Sequence, residues 1–214
     1  MTIQYLHASK FGNGATVAAL FKETMAAKGV NVDVHHIRGV RPADPPAADL
    51  YVFSSPGRMG RPIGGMRRFL KRVSLPAGTR YAILTTEAAP KADKTGRMPT
   101  EEELARYERV RPIMNEILQG KGLVKVAEDK VHVTGLKGPL EEGWEQTVRD
   151  FAARLAIAEA TAAPLADGQE REEAKYDLRD SAIHVARPLV RLTAADLSTC
   201  ALKRERRRCN SASW

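Results

Sequence analysis

Cysteine is almost missing from this chain: there are two in 214 residues, Cys200 and Cys209, both among the last fifteen. No second Cys pair or His pair stands near them at ligand spacing, which argues against a disulfide framework and a structural zinc site. Aromatic residues are scarce as well, at 6%, and they do not interleave with the basic residues as a nucleic-acid stacking platform requires. No run approaches the roughly 20 apolar residues that cross a bilayer. The opening Met1-Thr2-Ile3-Gln4-Tyr5-Leu6-His7 has neither a basic n-region nor a long apolar h-region. The expectation is a cytoplasmic chain without a transmembrane segment. Acidic residues are also in short supply, 26 against 34 Lys and Arg, giving a net charge of +8 and a pI of about 9.7. That balance favours anionic partners: phosphate groups, nucleic acid, acidic proteins and carboxylated substrates all qualify. What is present is ordinary, with 43% apolar and 28% charged residues. It suffices for one sizeable core and excludes a collagen-like or fully disordered chain.

Short apolar runs at 3–7, 30–37, 50–54 and 81–85, with a weaker pair at 123–126 and 131–134, read as strands. Between them, 15–28 carries Val17, Leu20, Phe21 and Met25 at helical spacing, and 63–73 carries Ile63, Met66, Phe69, Leu70 and Val73 likewise. A further helix over 100–119 opens on a Thr-Glu-Glu-Glu capping box, and another over 140–160 is built around Trp144, Val148, Phe151, Leu155 and Ile157. Strand and helix alternate, and the strands are nearly all apolar, so the expected architecture is α/β: a doubly wound five-stranded parallel sheet within residues 1–160. Residues 161–214 form a charged C-terminal extension, expected to be partly helical or disordered, with a basic run at 203–208. That run suits nucleic acid or an anionic membrane surface, but solvated disorder is the commoner state of such a segment. Nucleic acid is not the expected partner.

Sheets of this kind bind ligands beyond the carboxyl ends of their strands. Three loops therefore carry the chemistry. The first, Ser9-Lys10-Phe11-Gly12-Asn13-Gly14-Ala15-Thr16, leads from strand to helix and is rich in glycine and hydroxyls. Unpaired main-chain amides and the helix dipole make such a turn a seat for an anion. It fits neither the Walker nor the Rossmann pattern. Gly12 and Gly14 could equally serve only to tighten the turn. The second loop is Ser54-Ser55-Pro56-Gly57-Arg58-Met59-Gly60-Arg61-Pro62, and the third starts at Thr85-Thr86-Glu87-Ala88-Ala89-Pro90.

The first loop resembles the flavodoxin family, whose Ser/Thr-x-x-Gly-Asn-Thr turn wraps the phosphate of flavin mononucleotide (FMN). The sequence departs at Gly14, where the family usually places a hydroxyl; Thr16 is the nearest substitute. The resemblance implies that Ser9, Lys10, Phe11, Gly12, Asn13, Gly14 and Thr16 hold the phosphate. Ser55, Pro56, Gly57, Arg58, Met59 and Gly60 would then approach the isoalloxazine ring, and Thr86 and Glu87 its pyrimidine edge. Gly57 is the expected site of a peptide that turns with the state of the flavin, and Arg58 or Met59 the expected cover of one ring face. The Trp or Tyr usual in the family is absent. The likeness spans residues 1 to about 158, including the junction 133–144 before the last helix, where Trp144 is expected to be core.

No Ser/His/Asp arrangement or metal-ligand cluster is legible, and His7, His35 and His36 read as structural or exposed; no catalytic side chain is expected. A flavin supplies the reactivity itself. The charge around it is the distinguishing feature. Arg58, Arg61, Arg67, Arg68, Lys71 and Arg72 follow the second loop, and Lys91, Lys94 and Arg97 lie in the third. Electron-carrying flavodoxins are acidic around the flavin, which disfavours its anionic reduced form. One opposite charge at about 8 Å contributes on the order of 2 kcal/mol before screening, so this chain is expected to have a higher potential and an acidic redox partner or an anionic small-molecule substrate. Ser55-Pro56-Gly57-Arg58-Met59-Gly60-Arg61-Pro62 and the Arg67-Arg68-Phe69-Leu70 that follows resemble menaquinone-dependent protoporphyrinogen oxidases, which implies a carboxylated substrate. Electron transfer and substrate oxidation stay open, as does the alternative of a flavin-free binding or regulatory module.

Overall fold

A computed structural model describes residues 1–135 and 137–162, with side chains up to residue 157. Of the expected C-terminal extension over 161–214, the part from 163 onward, with both cysteines and the basic run, lies outside the described residues; 161 and 162 end the last helix. Within them, seven strands and five α-helices follow one another: β1 (Thr2–His7), α1 (Asn13–Ala26), β2 (Asn31–His36), β3 (Leu50–Ser54), β4 (Gly57–Arg58), β5 (Arg61–Pro62), α2 (Gly64–Arg72), β6 (Arg80–Ala88), α3 (Glu101–Tyr107), α4 (Val110–Gln119), β7 (Val124–Val133) and α5 (Trp144–Ala162).

Five strands form one parallel sheet in the order β2-β1-β3-β6-β7. The doubly wound expectation holds. Side chains of period 2 send Ile3, Tyr5, Leu50, Val52, Ala82 and Leu84 to one face, where α1 and α5 cover them with Val17, Phe21, Met25, Phe151 and Leu155. Leu6, Tyr51, Phe53, Tyr81 and Ile83 go to the other, under Met66, Phe69 and Leu70 of α2 and Met114 and Leu118 of α4. Trp144 packs on the first cluster, in keeping with the core role expected of it.

Three departures from the sequence reading have identifiable causes. The weak pair of runs at 123–126 and 131–134 is a single ten-residue strand. Its polar middle is tolerated because β7 is an edge strand with half-exposed side chains. The expected helix over 100–119 is two helices. Thr100 does form the capping box with Glu103, but Pro112 has no N–H to offer the Glu108 carbonyl and its ring would clash with it, so a continuous helix cannot form. The chain bends at Glu108–Arg109, and Pro112 falls in the first turn of α4, where a missing N–H costs nothing. Finally, the second loop is not irregular: Gly57–Arg58 and Arg61–Pro62 pair as a small antiparallel hairpin.

Candidate functional site

The carboxyl ends of β1, β3 and β6 meet around a cavity of about 170 Å³, lined by Ser9, Lys10, Phe11, Asn13, Gly14, Pro56, Gly57, Arg58, Ile63, Thr86 and Val133. All three expected segments contribute. On the first, Gly12 has φ +95°, a conformation open to glycine and strained for other residues. Its amide donates to Ser9 Oγ at 3.1 Å, and its carbonyl accepts from the amides of Ala15 and Thr16 to open α1. Among the described residues the amides of Lys10, Phe11, Asn13 and Gly14 have no acceptor. Those donors sit at the positive end of the α1 dipole. Lys10 Nζ stands 5.3 Å from the centroid of the Phe11 ring, an aromatic that belongs to the cavity wall.

Gly14 is buried, and a Cβ there would lie 3.4 Å from Ser9 Cβ and 3.5 Å from Ser9 Oγ. A hydroxyl side chain at this position thus needs little rearrangement. Thr16 does not supply the missing hydroxyl: it lies outside the cavity wall, and its Oγ1 points to the Gly12 carbonyl at 3.5 Å. Asn13 reaches the other way. Its Nδ2 donates to the Lys137 carbonyl, 124 residues along the chain, tying the first loop to the junction before α5.

The second segment brings Pro56, Gly57 and Arg58 to the cavity. Gly57 packs tightly, since a Cβ would come within 3.0 Å of Val110 Cγ2. Positive φ falls instead on Met59 (52°) and Gly60 (70°), the two central residues of the hairpin, as a type I′ turn demands. The expected turning peptide at Gly57 is therefore not where this loop takes its unusual backbone. Met59 is 92% exposed at the hairpin tip and does not line the cavity, so only Arg58 of the expected pair faces the site. Gly60 is fixed elsewhere. Its carbonyl accepts from Arg109 N at 2.9 Å, and a Cβ on it would stand 1.8 Å from the Tyr107 carbonyl oxygen.

The third segment is strand where loop was expected. β6 continues to Ala88, so Thr86 and Glu87 are buried. Thr86 bridges to Pro56 and donates its amide to the Ser55 carbonyl, which seats it on the cavity wall. The Glu87 carboxylate belongs to a separate network: it accepts from Thr85 Oγ1 at 2.6 Å and pairs with Arg111 at 3.5 Å. Ser55, also buried, lies behind the wall. Two wall residues, Ile63 and Val133, were read from sequence as a helix position and as a strand end at the junction before the last helix, not as site residues; the place of Ile63 just after the second segment was the available signal.

The third-loop cations do not reach the site. Arg97 makes a double contact with Glu103, 3.0 Å at each oxygen, and the Glu103 carboxyl is held down at about 2 by that partner and the Thr100 amide. His7, at the end of β1, meets His36 edge-on at 5.3 Å between centroids, and burial followed by the neighbouring His36 keeps its imidazole below the ordinary value. No metal-ligating cluster and no helix long and apolar enough to span a membrane occur among the described residues.

No protein-family model and no curated protein matches the sequence. Solved structures do. Rubredoxin oxygen:oxidoreductase from Desulfovibrio gigas superposes with a TM-score of 0.55 at 13% identity over 76% of this chain, which spans only 37% of that protein's length. A flavodoxin from the domain Archaea gives 0.53 at 16% identity, over 75% of this chain and 98% of that one. Oxidised flavodoxin 2 from Bacillus cereus gives 0.52 at 20%, over 73% and 99%. The fold is that of the flavodoxins. In this flavodoxin-like chain the cavity occupies the carboxyl edge of the sheet, where doubly wound folds take their ligands.

Proposed function

We propose that this flavodoxin-like chain binds FMN and serves as a redox protein. The observation that carries the reading is the convergence, on one cavity, of four acceptor-less amides at the start of α1 with Pro56, Gly57, Arg58 and Thr86 from the two neighbouring segments. The residues fit the group. Lys10, Phe11, Asn13 and Gly14 would donate main-chain hydrogen bonds to the phosphate, with Ser9 and Gly12 shaping the turn. Pro56, Gly57 and Arg58 would flank the ring and Thr86 its polar edge, while Ser55, Met59, Gly60, Glu87 and Thr16 act as supports rather than contacts. Flavin supplies one- and two-electron chemistry, and the protein supplies position and field.

Arg58 and Lys10 put positive charge on the cavity wall. That sign favours an anionic reduced flavin and supports a higher potential than acidic surroundings give, along with a reactant of negative charge. Gly14, with Thr16 turned away, lacks the hydroxyl contact and favours modest affinity, and it also motivates a second reading, a flavin-free binding module. Titration of the purified chain with FMN separates the two. Quenching of flavin fluorescence and a yellow protein fraction are expected, with tighter binding in Gly14→Thr; a colourless protein that leaves flavin fluorescence unchanged in both forms would overturn the cofactor assignment.

A further inference from the structure

Beside the flavin cavity, and sharing Ser9, Lys10 and Ile63 with it, lies a larger one of about 510 Å³ between the β1 and β2 ends and α2. Its charged wall comes from three distant parts of the sequence: Lys10 from the first loop, Arg38 after β2, and Arg68 and Arg72 from α2. On α2, Gly65, Arg68, Phe69 and Arg72 follow the i, i+3, i+4, i+7 spacing of one helix face. The space over Gly65 is open, since a Cβ there would meet only Ile37 Cδ1, at an ordinary contact distance of 3.8 Å. Ile37 and Phe69 form an apolar floor, both nearly buried. No acidic side chain lines the cavity, and none of the four cations has an ion-pair partner among the described residues. Four like charges converging without a counter-charge repel one another, and planar guanidinium groups match oxyanions two hydrogen bonds at a time.

We infer that this cavity is a binding site for a small organic polyanion, one with phosphate or paired carboxylate groups attached to an apolar body that covers Ile37 and Phe69. Its position at a shared wall makes the occupant a candidate reactant of the flavin. That role rests on the flavin assignment; anion binding itself does not.

Isothermal titration calorimetry of the full chain with pyrophosphate and with citrate, in low salt and without added flavin, tests the site. The double variant Arg68→Gln/Arg72→Gln should weaken binding by about tenfold or more. Arg67→Gln/Lys71→Gln, on the same helix but outside the cavity wall, removes the same net charge and should change it little. The pyrophosphate-to-citrate ratio tells phosphate chemistry from carboxylate chemistry. Equal losses in the two double variants would reduce the effect to general charge and overturn the site, as would absence of binding by both probes. Binding that is lost selectively in the Arg68/Arg72 variant, from a chain that fails to take up FMN, would retain the polyanion site and discard the flavin.

Discussion

Charge is handled in opposite ways on the two flanks of the sheet's carboxyl edge. On the β6–β7 flank every buried or half-buried charge has a partner: Arg111 lies 3.5 Å from Glu87, 3.6 Å from Glu108 and 3.9 Å from Glu128, and Lys130 meets both Glu108 oxygens. Asn115 and Lys125 also hydrogen-bond to Glu128. Burial alone would raise the Glu128 carboxyl, but those hydrogen bonds and the nearby cations outweigh it and leave it below its ordinary value. On the β1–β2 flank Lys10, Arg38, Arg68 and Arg72 face a cavity with no acidic counterpart among the described residues. The paired flank stabilises the fold. The unpaired flank carries mutual repulsion that water and salt screen in part and that a bound anion would relieve further, as the proposed polyanion site requires.

The sharpest way to break this contrast is to unpair the paired side. Arg111→Ala leaves the buried Glu87 with the Thr85 hydroxyl but without its cation and should cost about 3 kcal/mol in urea unfolding. A smaller loss, about 1 kcal/mol, is expected for Lys130→Met, whose partner Glu108 keeps Arg111. Arg68→Ala/Arg72→Ala, by contrast, should stay within about 0.5 kcal/mol of the parent or stabilise it. A marked loss of stability there would erase the distinction between the flanks.

The smallest effect concerns protons. His7 stays neutral in the fold longer than in the unfolded chain, because burial and His36 depress its imidazole. Its contribution is thus full above the ordinary imidazole value of about 6.5 and is lost as pH falls through the lower folded value. Stability measured against pH should decline as pH falls from about 6.5 to the lower folded value, and His7→Gln should flatten the decline; an unchanged profile would remove His7 from the account.

Much of the fold was legible because period-2 and period-3.6 apolar patterns are dense here, as in Leu50-Tyr51-Val52-Phe53 of β3 and the Val17, Phe21, Met25 face of α1. What escaped depended on partners far along the chain. Glu128, Asp129 and Lys130 look like a loop until Asn115, Arg154 and Glu108 are seen beside them. Pro112 was the available signal for the break between α3 and α4, which the reading of one helix over 100–119 passed over. Thr86 and Glu87 read as loop because polar residues end the apolar run, although Thr85, Arg111 and Ser55 satisfy them inside the sheet. The basic cluster after the second loop was visible, but which of Arg67, Arg68, Lys71 and Arg72 shared a wall with Arg38 was a matter of helix rotation, and sequence spacing alone did not disclose where Arg38 lay.

The hairpin tip has one more implication. Gly60 is wedged against the Tyr107 carbonyl and accepts from the Arg109 amide, while Arg58, two residues away, lines the cavity proposed for FMN. The ribbon is therefore anchored at the elbow of α3 and α4, and α4 carries the arginine that grips Glu87. A guest that displaces Arg58 would strain that anchor, so deuterium uptake at Arg109, whose amide donates to Gly60, should change as the cavity fills.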